Sequence, residues 1–208
     1  MTENKIEALK MQYQTLIAEY QVMRQSVQDY RSMQGQLDSI TLAALGISIP
    51  IILTILDRSL MYAGVILLIP ILFFAVAFTQ LRYERMVTIT AMYVDSALRP
   101  QIEQLLSKLS KEKVSVFQWE GYLAGQNPTS NLFVGWVVLC LRSVLSFGTG
   151  LGVMGIYVFI RLSQPQTMQL FEVWLLAIDG ILFVCDLVFA LGIARQRSTY
   201  NKKNSYGK

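Results

Sequence analysis

Residues 39–85 read SITLAALGISIPIILTILDRSLMYAGVILLIPILFFAVAFTQLRYER, and the fold turns on them. Ser39–Leu56 and Ser59–Leu81 carry no charge. Each reaches the length of about 18 apolar residues that a helix needs to cross a bilayer. Only Asp57 and Arg58 separate them, so a tight antiparallel transmembrane hairpin is expected. Pro50 and Pro70 fall within these spans, where membrane helices tolerate proline, and a kink is expected at each.

A second apolar pair lies further along the chain. Ser143–Ile160 is the uncharged part of a run that begins at Leu132 and includes Arg142. Val173–Ala194 is long enough to span but carries Asp179 and Asp186. The polar link Arg161–Glu172, with Pro165, would close these into a second hairpin. Composition agrees with four spans. Hydrophobic residues make up 53% of the 208 residues and charged residues 15%, against about 25% charged in soluble domains. One small core cannot bury that much apolar surface, which argues against a soluble globular enzyme.

There is no histidine, which removes the usual general base and metal ligand. Cys140 and Cys185 sit in apolar runs without CxxC spacing and are expected to pack as small apolar side chains. With no nucleophile–base pair, phosphate loop or zinc-spaced cluster, neither an enzyme nor a cofactor or metal is expected. The polar stretch Met1–Glu7 lacks the apolar core of a signal peptide, so the N-terminus is expected to be retained.

Orientation follows from Lys and Arg. Fifteen of the 18 fall in residues 1–38, 82–130 and 195–208, while the two hairpin tips hold only Arg58 and Arg161. By the positive-inside tendency these three regions face the cytoplasm, which implies an inner-membrane protein with both termini inside. Ten acids are interleaved with those bases and no stripe of stacking aromatics accompanies them, so nucleic-acid binding is not expected. The expected class is therefore an all-α membrane protein in five parts. These are a cytoplasmic coiled-coil-like helix over 1–38, transmembrane hairpins over 39–81 and 131–194, a cytoplasmic helical segment over 82–130, and a basic disordered tail over 195–208.

The N-terminal part has a heptad seam: Ile6, Leu9, Tyr13, Leu16, Tyr20, Met23, Val27, Tyr30 and Leu37, with Gln34 as its one polar break. Alternating steps of 3 and 4 are the signature of a coiled coil. The helix is expected to continue into the first span, with Gly35 its weak point. The seam suits either oligomerisation or packing on the central segment. That segment is helical in spacing, with a break expected at Arg99-Pro100. Trp119 and Tyr122, shortly before the third span, suit an interfacial belt.

The succession Glu19-Tyr20 and Arg24, Arg82 to Arg85, then Tyr93, Leu98, Pro100, Ile102 and Glu103, and Trp119-Glu120 resembles a widespread bacterial type of four-span inner-membrane protein with a long N-terminal cytoplasmic helix. The resemblance implies the fold and no activity. The layout is also similar to membrane accessory effectors of antiviral defence, some of which oligomerise into pores.

Three groups of residues suggest function. Gly148, Gly152 and Gly155 form a small-residue face that lets membrane helices approach closely. Arg82, Arg85, Glu103 and Glu120 are expected to form a cytoplasmic polar cluster that suits a cation site, a salt-bridge lattice or plain solvated surface pairs. Asp179 and Asp186 lie two helical turns apart on one face, and Arg142 has an intermediate depth. An Arg142–Asp186 contact is expected, since intramembrane charges turn inward and pair, leaving Asp179 as a second acceptor or neutral. The leading expectation is a homo-oligomeric, pore-forming or membrane-perturbing assembly in the lipid bilayer. The alternatives are a scaffold that recruits a cytosolic partner and, last, a small ion transporter, for which matching broken helices are missing.

Overall fold

The computed structural model describes residues 3–58, 60–110, 137, 144–163 and 168–205. Among them the chain is all helical, without a strand. Helix α1 covers Glu3–Arg58, α2 Leu68–Tyr93, α3 Arg99–Ser110, α4 Val144–Ser163 and α5 Leu170–Ser205. A 3-10 segment, Leu60–Leu67, leads into α2, and a π-helical turn, Val94–Leu98, joins α2 to α3. Four helices are long and apolar enough to cross a membrane: α1, the continuous rod from Ala63 to Leu109, α4 and α5. This is the pattern of a multi-pass membrane protein.

Helix α1 runs 56 residues unbroken through Gly35 and Pro50, roughly 84 Å at 1.5 Å per residue. Pro70 lies just past the change from the 3-10 segment to α-helix. It is the third residue of α2, in the first turn where a proline's missing N–H goes unused. The break expected at Arg99-Pro100 is absent. Arg99 keeps helical angles (φ −57°, ψ −51°), and the preceding π-helical turn carries the chain into α3, where Pro100 again occupies a first turn.

Helix α2 is the centre of the bundle, in contact with α1, α4 and α5. Gln34 and Asp38 of α1 bond Glu84 and Gln80, while Ile52 clusters with Ile66, so α1 and α2 run antiparallel. Ser146 meets Gln80 and Val153 clusters with Ile66, so α4 is also antiparallel to α2. Phe183 packs on Phe74, Phe189 on Phe78, and Arg197 bonds Glu84, which makes α5 parallel to α2. Phe74, Phe147 and Phe183 join three helices, with ring centroids 6.4, 5.8 and 6.1 Å apart. Such pairs add about 0.5–1.5 kcal/mol each beyond their burial.

The glycine that fits α4 against this cluster is Gly150. A Cβ there would stand 2.8 Å from Phe74 Cε1. Gly148, Gly152 and Gly155 are exposed, and a Cβ at Gly152 or Gly155 would meet nothing within 4 Å. The reason is helical phase: at 100° per residue the three lie on the side of α4 opposite Gly150. The small-residue face expected to pack therefore points out of the chain.

The N-terminal seam is partly covered by the chain itself. Tyr13, Leu16, Tyr20 and Met23 pack on Val94, Leu98 and Ile102, and Tyr30 stacks on Tyr83 with centroids 6.0 Å apart. Ile6, Leu9, Val27 and Leu37 are half-buried. Over Tyr13–Met23 the apolar stripe thus has a partner within the chain, the alternative to a subunit seam.

The tail expected to be disordered is helical as far as Ser205. Three contacts explain it: Arg197 bonds Glu84 and Thr88, Tyr200 bonds Asp95, and Ser198 is buried. Trp119, Glu120, Tyr122, Cys140 and Arg142 lie outside the described residues.

Candidate functional site

The inward stripe of α5 carries acids at a spacing of seven: Glu172, Asp179 and Asp186. Leu175, Ala190 and Ile193, on the same stripe, belong to the buried clusters. Glu172, Asp179 and Asp186 are 1%, 0% and 2% exposed. Two turns of helix separate successive acids, roughly 10.5 Å. The three have different surroundings.

Glu172 is fully engaged. It occupies the third position of α5, and its Oε2 accepts the Gln169 backbone N–H at 3.2 Å, the return bond of a capping box. Its Oε1 pairs with Arg161 in the last turn of α4. Both charges complement the helix dipoles at their ends. Arg161 Nε also donates to the Tyr157 hydroxyl at 3.4 Å. Gly64 makes room for this carboxylate, since a Cβ there would lie 2.8 Å from Glu172 Cγ.

At the opposite end a polar network crosses four helices. Gln34 of α1 donates to Glu84 Oε2 at 3.0 Å and to the Gln80 carbonyl at 3.3 Å. Gln80 donates to Asp38 Oδ1 at 2.7 Å and accepts from Ser146 of α4 at 3.2 Å. The Thr41 and Ser146 hydroxyls lie 3.3 Å apart. Arg197 Nη2 of α5 donates to Glu84 Oε1 at 2.6 Å, and its Nε to Thr88 Oγ1 at 2.9 Å. Glu84 is 5% exposed, and both of its oxygens are used.

Between these ends, Asp179 Oδ1, Asp179 Oδ2 and Asp186 Oδ2 are buried without a hydrogen-bond partner among the described residues. Buried polar groups nearly always find partners. Three unmatched carboxylate oxygens on the inner face of an apolar helix are the strongest chemical feature of the described residues. No group of three His, Cys, Asp or Glu among the described residues is placed to hold a metal ion.

The sequence-predicted residues divide accordingly. Asp179 and Asp186 share one buried stripe, as their spacing implied, while their expected partner Arg142 lies outside the described residues. Arg82, Arg85 and Glu103 do not form one cluster: Arg82 is exposed, Arg85 lies over the Phe189 ring at 5.5 Å, and Glu103 Oε1 is 3.7 Å from Arg99. Glu120 lies outside the described residues. Gln80, Glu84, Thr88, Ser146, Glu172 and Arg197 are site residues not expected from the sequence. A signal for three of them exists, since Gln80, Glu84 and Thr88 repeat every fourth residue and form a polar stripe on α2.

A comparison with protein-family models, curated proteins and solved structures finds no match for this chain.

Proposed function

We propose that this is a proton-handling multi-pass protein of the bacterial cytoplasmic membrane, with both termini in the cytoplasm and Asp179 and Asp186 as its working groups. The Lys and Arg asymmetry supports the orientation. One observation carries the function: both oxygens of Asp179 and Oδ2 of Asp186 are buried at the middle of the bundle without a hydrogen-bond partner among the described residues. A carboxylate in that setting must pair, bind a cation or take up a proton. Glu172 and Glu84, toward either end of the bundle, already have cationic partners in Arg161 and Arg197. On this reading the middle acids are the groups that exchange a proton.

The test is proton flux in liposomes loaded with a pH-sensitive dye. Wild-type protein should dissipate an imposed pH gradient faster than empty liposomes, and Asp186→Asn and Asp179→Asn should each slow it about tenfold or more, the size of effect expected of a proton-transfer group. Equal rates for wild-type and empty liposomes sink the reading.

A homo-oligomer is the second reading, favoured by the outward face of Gly148, Gly152 and Gly155. Small residues on a lipid-facing side let a second helix approach closely. The mass of the detergent-solubilised particle, a monomer or a discrete multiple, decides it.

A further inference from the structure

Two adjoining grooves follow the outer junction of the parallel helices α2 and α5. The first, about 510 Å³, is walled mainly by Phe78, Val184, Val188 and Phe189, with Arg85 above them. The second, about 540 Å³, continues toward Ser96, Arg195 and Thr199. The grooves share Gly192 and Gln196. A Cβ at Gly192 would meet nothing within 4 Å, so the floor is open where they join. From Val184 to Tyr200 the groove runs roughly 24 Å, about the depth of one leaflet with its headgroups.

Its polarity is graded along that length. The end toward the bundle centre is apolar, and the end toward the α5 C-terminus is polar and basic. Arg85 and Arg195 are both exposed, and neither has a carboxylate partner within 4 Å among the described residues. Asp95, an acid near the far end, is bonded by Arg99 and Tyr200. Arg85 lies on a helix that runs toward the cytoplasmic face, so its Cα–Cβ bond tilts back toward the bilayer. The guanidinium accordingly rests over Phe189 rather than reaching away from the groove.

We infer that this groove binds one anionic glycerophospholipid from the inner leaflet. Its phosphate would sit between Arg85 and Arg195, and one acyl chain would lie along Phe78, Val184 and Val188. An apolar slot beneath two uncompensated guanidinium groups suits a lipid with an anionic head over a zwitterionic one. Basic sites between membrane helices on the cytoplasmic side recognise anionic headgroups in this way. The inference uses the outer surface of the bundle and does not depend on Asp179 or Asp186.

Native mass spectrometry of the full chain released from nanodiscs provides the test, with phosphatidylglycerol and phosphatidylcholine as competing probes. Wild type should retain one phosphatidylglycerol per chain. Arg85→Gln and Arg195→Gln should each lower that preference about fivefold, and together about 30-fold. Gly192→Leu, which fills open space without touching the core, should abolish retention of either lipid while circular dichroism stays unchanged. Equal retention of the two lipids by wild type overturns the inference, as does undiminished retention in Gly192→Leu. If Gly192→Leu instead splits a dimer and displaces no lipid, the groove is a subunit interface and the inference fails.

Discussion

The end of the bundle around Glu84 and its middle around Asp179 solve one problem in opposite ways. Both bury carboxylates among apolar helices. Around Glu84 each oxygen is matched, by Gln34 from α1 and Arg197 from α5, so the acid locks three helices in register. Around Asp179 neither oxygen is matched among the described residues. A satisfied buried charge is a structural device. An unsatisfied one is a burden on stability, which is retained where function needs it.

Breaking the matched end should give the largest effect. Arg197→Met leaves Glu84 buried without its cation and should destabilise the protein by about 3–5 kcal/mol, the usual result of removing one partner of a buried pair. Thermal unfolding in detergent measures it. Adding Glu84→Gln should restore most of the loss, because no uncompensated charge remains. A loss below about 1 kcal/mol for Arg197→Met would mean that the network contributes no more than a surface pair.

The middle should respond with the opposite sign. Asp179→Leu removes an unmatched carboxyl and should raise stability by about 1–3 kcal/mol while abolishing proton flux. Loss of stability together with loss of flux would show that Asp179 has a structural partner, and the contrast between the two regions would collapse.

The contrast also separates what the sequence reveals from what it conceals. The spans are legible because a run of 18 residues without charge is a property of composition alone, independent of packing. Asp179 and Asp186 are legible for the same reason, as charges where none belong. Glu172 is concealed because Pro165 marks a link, and only the start of α5 at Leu170 brings the acid into the first helical turn. Gln80 and Glu84 sit where an apolar span gives way to polar sequence, and polar residues there attract no notice. Arg197 reads as one base in a basic tail until Glu84 supplies its partner. The glycines on α4 show the limit most plainly. Gly150 and Gly152 are equivalent in sequence, and only the position of Phe74 decides which one faces inward. Gln34 is the opposite case: a visible break in an apolar seam, whose meaning appears once Glu84 and Gln80 lie opposite it.

The smallest effect expected is at the far end of the same α1–α2 contact, where a polar clasp lies in the open. The Tyr93 hydroxyl donates to Glu19 Oε1 at 2.7 Å. That hydrogen bond, followed by desolvation and the negative charge of Glu19, raises the phenol's pKa above its ordinary 10.0. The folded state therefore favours the neutral phenol. The contribution is complete below the unfolded value of about 10 and is lost as pH rises through the higher folded value. Physiological pH leaves the clasp untouched. Stability measured against pH should show an added decline above about pH 10 in wild type that Tyr93→Phe lacks, with the two curves parallel below it. Curves that stay parallel through the alkaline range would show that this exposed contact adds nothing to holding α1 on α2. Helix α1 would then be held on α2 and α3 by apolar packing, that of Tyr13, Leu16, Tyr20 and Met23 on Val94, Leu98 and Ile102 together with the Tyr30–Tyr83 stack and the Ile52–Ile66 cluster, and by the matched network around Glu84.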